Sequence, residues 1–153
     1  MDNMITKDEI LQGIPSAIRP FISITTAPLS RLFEPLVKAF WTATDKISSA
    51  TFINSRINFI FLTAPFILPL STGELKYTPR DGVINACLCD MIFIDCEKMI
   101  RYPFQIQIAC LLEEFVHIIM HVSDESLVSR IVALLYDGIE IVGGQYSVKS
   151  DVP

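Results

Sequence analysis

The stretch that decides the reading is Glu113-Glu114-Phe115-Val116-His117-Ile118-Ile119-Met120-His121, which contains both histidines of the chain. It lies within Phe104 to about Val122, a strongly apolar run whose spacing predicts a helix. Ionisable groups on such a helix are costly unless solvated, paired or bound to metal. At about 100° per residue, and with Glu113 at zero, His117 falls near 40°, Cys110 near 60°, His121 near 80° and Glu114 near 100°. One narrow stripe therefore carries ligand-type side chains, and the remaining surface is apolar. The ordinary alternative is an amphipathic helix with a solvated polar stripe. Two details count against it: the stripe holds the only two histidines, and it lacks Lys, Arg, Gln and Ser.

The rest of the chain frames that helix. A capping-box pattern, Thr6-x-x-Glu9, opens a short helix ending near Gly13 and Pro15. Ser30 caps a second, in which Leu32, Phe33, Leu36, Val37, Phe40 and Trp41 recur at helical spacing to about Ile47; Pro35 is tolerated in its first turns. Phe52-Ile53 and Ile57–Leu62, aromatic and β-branched, predict strand. Turns are expected at Gly73, Pro79, Asp81 and Gly82, followed by a strand over Val83–Asp95 interrupted near Cys89-Asp90. After the long helix, Ser123-Asp124-Glu125 reads as a break and a new N-cap. A last helix then runs from Ser126 to about Tyr136, a short strand covers Ile139–Val142, and a tail begins at Gly143.

Composition narrows the function classes. Hydrophobic residues make up 51% and charged residues 19% of 153 positions, and mean hydropathy is +0.46. The most apolar stretch, Ile57 to Leu70, contains Pro65 and Pro69 and is shorter than the roughly 20 apolar residues a spanning helix needs. Asp2, Asp8 and Glu9 precede any apolar run, unlike a signal peptide. A cytoplasmic protein without a membrane span is the expectation. Its apolar excess is available for a core or for a partner surface, a second copy of the chain included. Net charge is −5 without a basic cluster, which argues against nucleic acid. Cys87, Cys89, Cys96 and Cys110 form no Cys-x-x-Cys pair and are read as small buried hydrophobes rather than ligands.

The helix motif resembles the zincin metallopeptidases, whose signature is His-Glu-x-x-His. Within that group it looks most like the ImmA/IrrE family, whose helix often reads His-Glu-Leu-Gly-His-Leu-Leu-Leu-His. The resemblance covers about Phe59 to Tyr136, and only the helix motif is specific. Met91-Ile92-Phe93-Ile94-Asp95 stands where the family has a strand before the helix, and Asp124-Glu125 opens the helix that follows. Laid on the pattern, Glu113 takes the first ligand position, Glu114 the general base, His117 the second ligand and His121 the trailing histidine. The first position is thus altered to Glu-Glu-x-x-His, which changes the site's charge and makes bound water less acidic. The family's third ligand lies further downstream than Asp124 or Glu125. Either acid reaches the site only if the chain turns back at Ser123, and Glu140 is a weaker candidate.

The resemblance implies an α+β single domain over 1–153, a small mixed sheet packed on helices. A helical extension (1–55) would precede a zincin-like core (56–142) and a tail (143–153). It implies a divalent metal, zinc foremost, held by Glu113, His117 and Asp124 or Glu125, with Glu114 as base in cleaving a protein or peptide substrate. Two alternatives stay open: a catalytically inactive module of the same fold that engages a partner protein, and a structural protein with an ordinary amphipathic helix.

Overall fold

The computed structural model describes residues 4–78 and 85–150. It is an α+β chain of small sheets and helices. Strand β1 (Met4–Ile5) pairs antiparallel with β3 (Leu29–Ser30), bracketing helix α1 (Lys7–Gln12) and strand β2 (Ile22–Thr25). Thr6 Oγ1 accepts from the Glu9 amide at 3.2 Å, as the capping pattern predicts. Ser30 caps a 3₁₀ turn, Arg31–Phe33, which runs directly into α2 (Glu34–Ala50).

Four strands make the main sheet, in the order β2, β4 (Ile57–Leu62), β8 (Met91–Asp95), β7 (Asn85–Leu88). The first three are parallel and β7 is antiparallel at the edge. In register, Ile24 meets Phe59 and Phe59 meets Ile92. Alternation puts Phe59, Phe61, Ile92 and Ile94 on one face, buried against α2 and, beyond the one-turn helix α3 (Cys96–Met99), α4 (Phe104–Met120). Ile60, Leu62 and Phe93 point the other way and are covered by Leu75 and Tyr77. Those two belong to β6 (Gly73–Tyr77), which forms a hairpin with β5 (Phe66–Leu70). Tyr77 stacks on Phe93 with ring centroids 4.5 Å apart. This two-sided burial is the reason that Ile57–Leu62 is apolar almost without alternation.

Helices α2 and α4 pack side by side on the first face. Leu36, Val37, Phe40, Ala43 and Ile47 meet Ile108, Leu111, Leu112, Phe115 and Val116 in one core. Phe40 stands edge-on to Phe59 and Phe61 at 4.8 and 5.3 Å, and Phe59 is 5.0 Å from Phe115. Among the described residues no single helix is long and apolar enough to cross a membrane.

Several sequence expectations change. The first 55 residues are not an appended helical extension, since β2 belongs to the main sheet and α2 to the core. Phe52-Ile53 is not strand; Phe52 is exposed while Ile53 is buried. The expected interruption near Cys89-Asp90 is there, but it is a reversal: Asn85–Leu88 and Met91–Asp95 form a hairpin that folds back at Cys89, where φ is +56°. Val83 and Ile84, like the turn at Pro79, Asp81 and Gly82, lie outside the described residues. Cys96 is buried as expected, but Cys89 is exposed. The segment after Gly143 is not a tail throughout. Gly143 and Gly144 take positive φ (+59° and +79°) at the two turn positions between β9 (Ile139–Val142) and β10 (Gln145–Val148). The resulting hairpin packs on α4, and α5 (Glu125–Leu135) packs against both.

Candidate metal centre

The long helix ends at Met120, two residues before the Val122 that its periodicity suggests. His121 adopts a left-handed conformation (φ +53°) and caps α4. Asp124 then starts α5, accepting from the Leu127 amide at 2.7 Å. The two helices meet at a bend of 114°. That bend swings the first turn of α5 back over α4, the reversal that a third donor from this segment requires.

Glu113, His117 and Glu125 converge: one potential ligand atom from each lies within 4.8 Å of the others. Glu113 and His117, four residues apart, share a helix face, and Glu125 arrives from α5. His117 Nδ1 and the Val122 carbonyl are 2.7 Å apart. A carbonyl only accepts, so Nδ1 carries a proton, and Nε2 is the ring atom turned toward Glu125 that a cation would use. Nε2 lies 3.6 Å from Glu125 Oε2. In the neutral imidazole that approach is not an ion pair but two donors facing one space. No Lys or Arg pairs with Glu113 or Glu125 among the described residues.

The donor chemistry fits a divalent cation. Two carboxylates balance its charge, and the imidazole's tautomer is set by its other nitrogen. Glu113, His117 and Glu125 can therefore hold a metal ion. Glu113 and Glu125 also line a cleft of about 820 Å³, whose other walls include Tyr102, Pro103, Ile106, Cys110, Ser129, Tyr146 and Val148.

The other residues singled out in the sequence lie elsewhere. Asp124 is engaged in capping α5 and is not in the cluster. His121 lines a separate cleft of about 300 Å³ with Ser55, Arg56, Cys89, Asp90 and His117. Glu140 is on β9, opposite Ser147 and outside the cluster. Cys110 is on the cleft wall. Burial first, and then the charges of Glu113 and Glu114, push its thiol up to about 12, so it stays neutral. Glu114 is half-buried and is not in the donor cluster. Burial, and then the like charge of Glu113, push its carboxyl up to about 7, with His117 opposing and Glu125 adding.

One site residue has no counterpart in the sequence reading. Tyr146, on β10, donates its hydroxyl to Glu113 Oε2 at 2.7 Å. Burial and this hydrogen bond raise the phenol well above its ordinary range. The signal was present in the sequence: Gly143-Gly144 between Ile139–Val142 and Gln145–Val148 is a two-residue hairpin turn.

Compared with family models, curated proteins and solved structures, the chain matches none of them.

Proposed function

We propose that the protein is a metal-dependent, peptidase-like protein acting on a peptide or protein substrate, with zinc as the ion held by Glu113, His117 and Glu125. The observation that carries this reading is the convergence of those three donors on one point, two of them, Glu113 and Glu125, lining the large cleft. The altered Glu-Glu-x-x-His motif supplies two of them, and its similarity to the zincin signature supports the peptidase assignment. A divalent cation at this point would polarise a substrate carbonyl as a Lewis acid. Glu114, with its carboxyl near 7, is matched to accepting and returning a proton close to neutral pH. Strand β7 is an edge of the main sheet, and Asn85 Nδ2 donates to the Cys110 carbonyl of α4 at 3.4 Å. The edge therefore runs beside the donor helix, where an extended peptide can pair with it.

The test is elemental analysis of the full chain after incubation with Zn²⁺, followed by incubation with a degenerate peptide library. Bound zinc with cleavage that stops on chelation supports the reading. Glu114→Gln should retain the metal and lower turnover by about 10²- to 10⁴-fold. A chain that takes up no metal refutes it.

One observation favours a second reading, a catalytically inactive module that engages a partner protein in the same cleft. Glu114 is not among the residues lining that cleft. A zinc-loaded chain that cleaves nothing, and whose biological activity survives Glu114→Gln, would establish it.

A further inference from the structure

A carboxylate in place of an imidazole at the first ligand position creates a positioning problem. A histidine ligand is oriented by its own second ring nitrogen, which donates to a neighbour, as His117 does to the Val122 carbonyl. An ionised carboxylate has no proton to donate and can only accept. Glutamate also has a long, rotamer-rich side chain whose ordering is costly. Glu113 therefore needs a donor from elsewhere, and the C-terminal hairpin provides one. Tyr146 brings its hydroxyl to 2.7 Å from Oε2 of Glu113, across 33 positions of sequence. The hairpin that carries it is anchored at its base: Ile139 is buried in the main core, and the Lys149 amide donates to the Gly138 carbonyl at 3.2 Å. No other hydrogen bond to the Glu113 carboxylate occurs among the described residues.

We propose that Tyr146 is the positioning residue of this centre, its hydroxyl fixing Glu113 so that the β9–β10 hairpin governs how tightly a metal ion is held. This rests on the metal-centre reading above and adds to it a dependence on a segment remote from the motif. Glu113 and Tyr146 form a functional pair, in which the tyrosine does for a carboxylate what a histidine does for itself. Linkage makes the dependence reciprocal: a metal ion on Glu113 must in turn steady the hairpin.

The experiment uses the full chain titrated with Zn²⁺ alone. Tyr146→Phe is expected to weaken zinc binding by about 10- to 100-fold, the usual cost of removing a partner that orients a ligand. Tyr136→Phe, which removes a half-buried tyrosine hydroxyl outside the site, is expected to leave affinity unchanged. A purely structural role for Tyr146 would lower the melting temperature of the metal-free protein and leave the dissociation constant alone. Glu113→His is the sharper control, since it restores a self-orienting ligand; in that background Tyr146→Phe should cost little affinity. Hydrogen exchange of the unmutated chain decides the matter should a variant fail to fold. Zinc should slow exchange at the amides of β9 and β10. Wild-type affinity in Tyr146→Phe, or hairpin exchange unmoved by bound zinc, overturns the proposal while leaving the metal centre standing. Failure of the unmutated chain to bind zinc overturns both.

Discussion

Replacing Glu125 with glutamine should change stability in opposite directions with and without metal. In the metal-free protein, Glu113 and Glu125 present like charges no more than 4.8 Å apart. Coulomb's law at that separation gives about 0.9 kcal/mol of repulsion at a dielectric of about 80 and about 3.5 kcal/mol at about 20. Glu125 is 75% exposed, so the lower figure applies, and salt screens it further. Glu125→Gln is then expected to stabilise the metal-free chain by up to about 1 kcal/mol, which for a chain of this size is about 2–4 °C in melting temperature. With zinc the sign reverses. A ligand at one hundred times its dissociation constant stabilises the native state by about 2.7 kcal/mol, or about 5–11 °C here. Loss of an anionic donor should remove most of that gain. Paired thermal melts at pH 8, one series in chelator and one in excess Zn²⁺, measure both effects. If Glu125→Gln destabilises the metal-free protein and leaves the zinc-induced shift intact, the two carboxylates do not share a site and the convergence argument fails.

Three further outcomes follow from particular contacts. Folding raises the Glu114 carboxyl from 4.5 to about 7, so its contribution favours the fold fully below about pH 4.5 and is lost as pH rises through 7. The span is on the order of 3 kcal/mol. Denaturant titrations of the metal-free chain across that window should show the decline, and Glu114→Gln should flatten it. Gly143→Val places a β-branched residue at φ +59° and should cost about 1–2 kcal/mol, whereas asparagine, which tolerates this region, should cost less. Nothing lies near the added Cβ, so the cost is conformational, and circular dichroism melts should resolve the order of the two variants. Phe40→Ala should lose about 3–5 kcal/mol, because Phe40 joins α2 to β4 through two edge-on aromatic contacts; chemical denaturation gives the figure directly.

Those contacts separate two kinds of information. Local rules were readable along the chain. Thr6, Ser30 and Asp124 cap because their side-chain oxygens meet nearby amides, an interaction confined to a few residues. The spacing of Glu113 and His117 places both on one face of α4 in any helix. The aromatic and β-branched run Ile57–Leu62 predicted a strand, and β4 is that strand.

What completes the centre was not readable in this way. Asp124, Glu125, His121 and Glu140 were all candidates on residue type alone. Glu125 joins because the α4–α5 bend of 114° carries it over the donor face, while the neighbouring acid is consumed in capping and His121 ends the helix in a left-handed turn. Tyr146 joins because a hairpin closed by two glycines docks on α4, a choice made by burial of Ile139 and its neighbours far along the chain. β2 enters the sheet from the N-terminal third for the same reason, covering the open side of β4. Residue order alone carries the longer helices, the caps at Thr6, Ser30 and Asp124, and the two-donor stripe, since each depends on neighbours within one or two turns. Which acid and which hydroxyl meet that stripe is set by packing, because chain reversal and the docking of apolar faces act between residues that no local pattern connects.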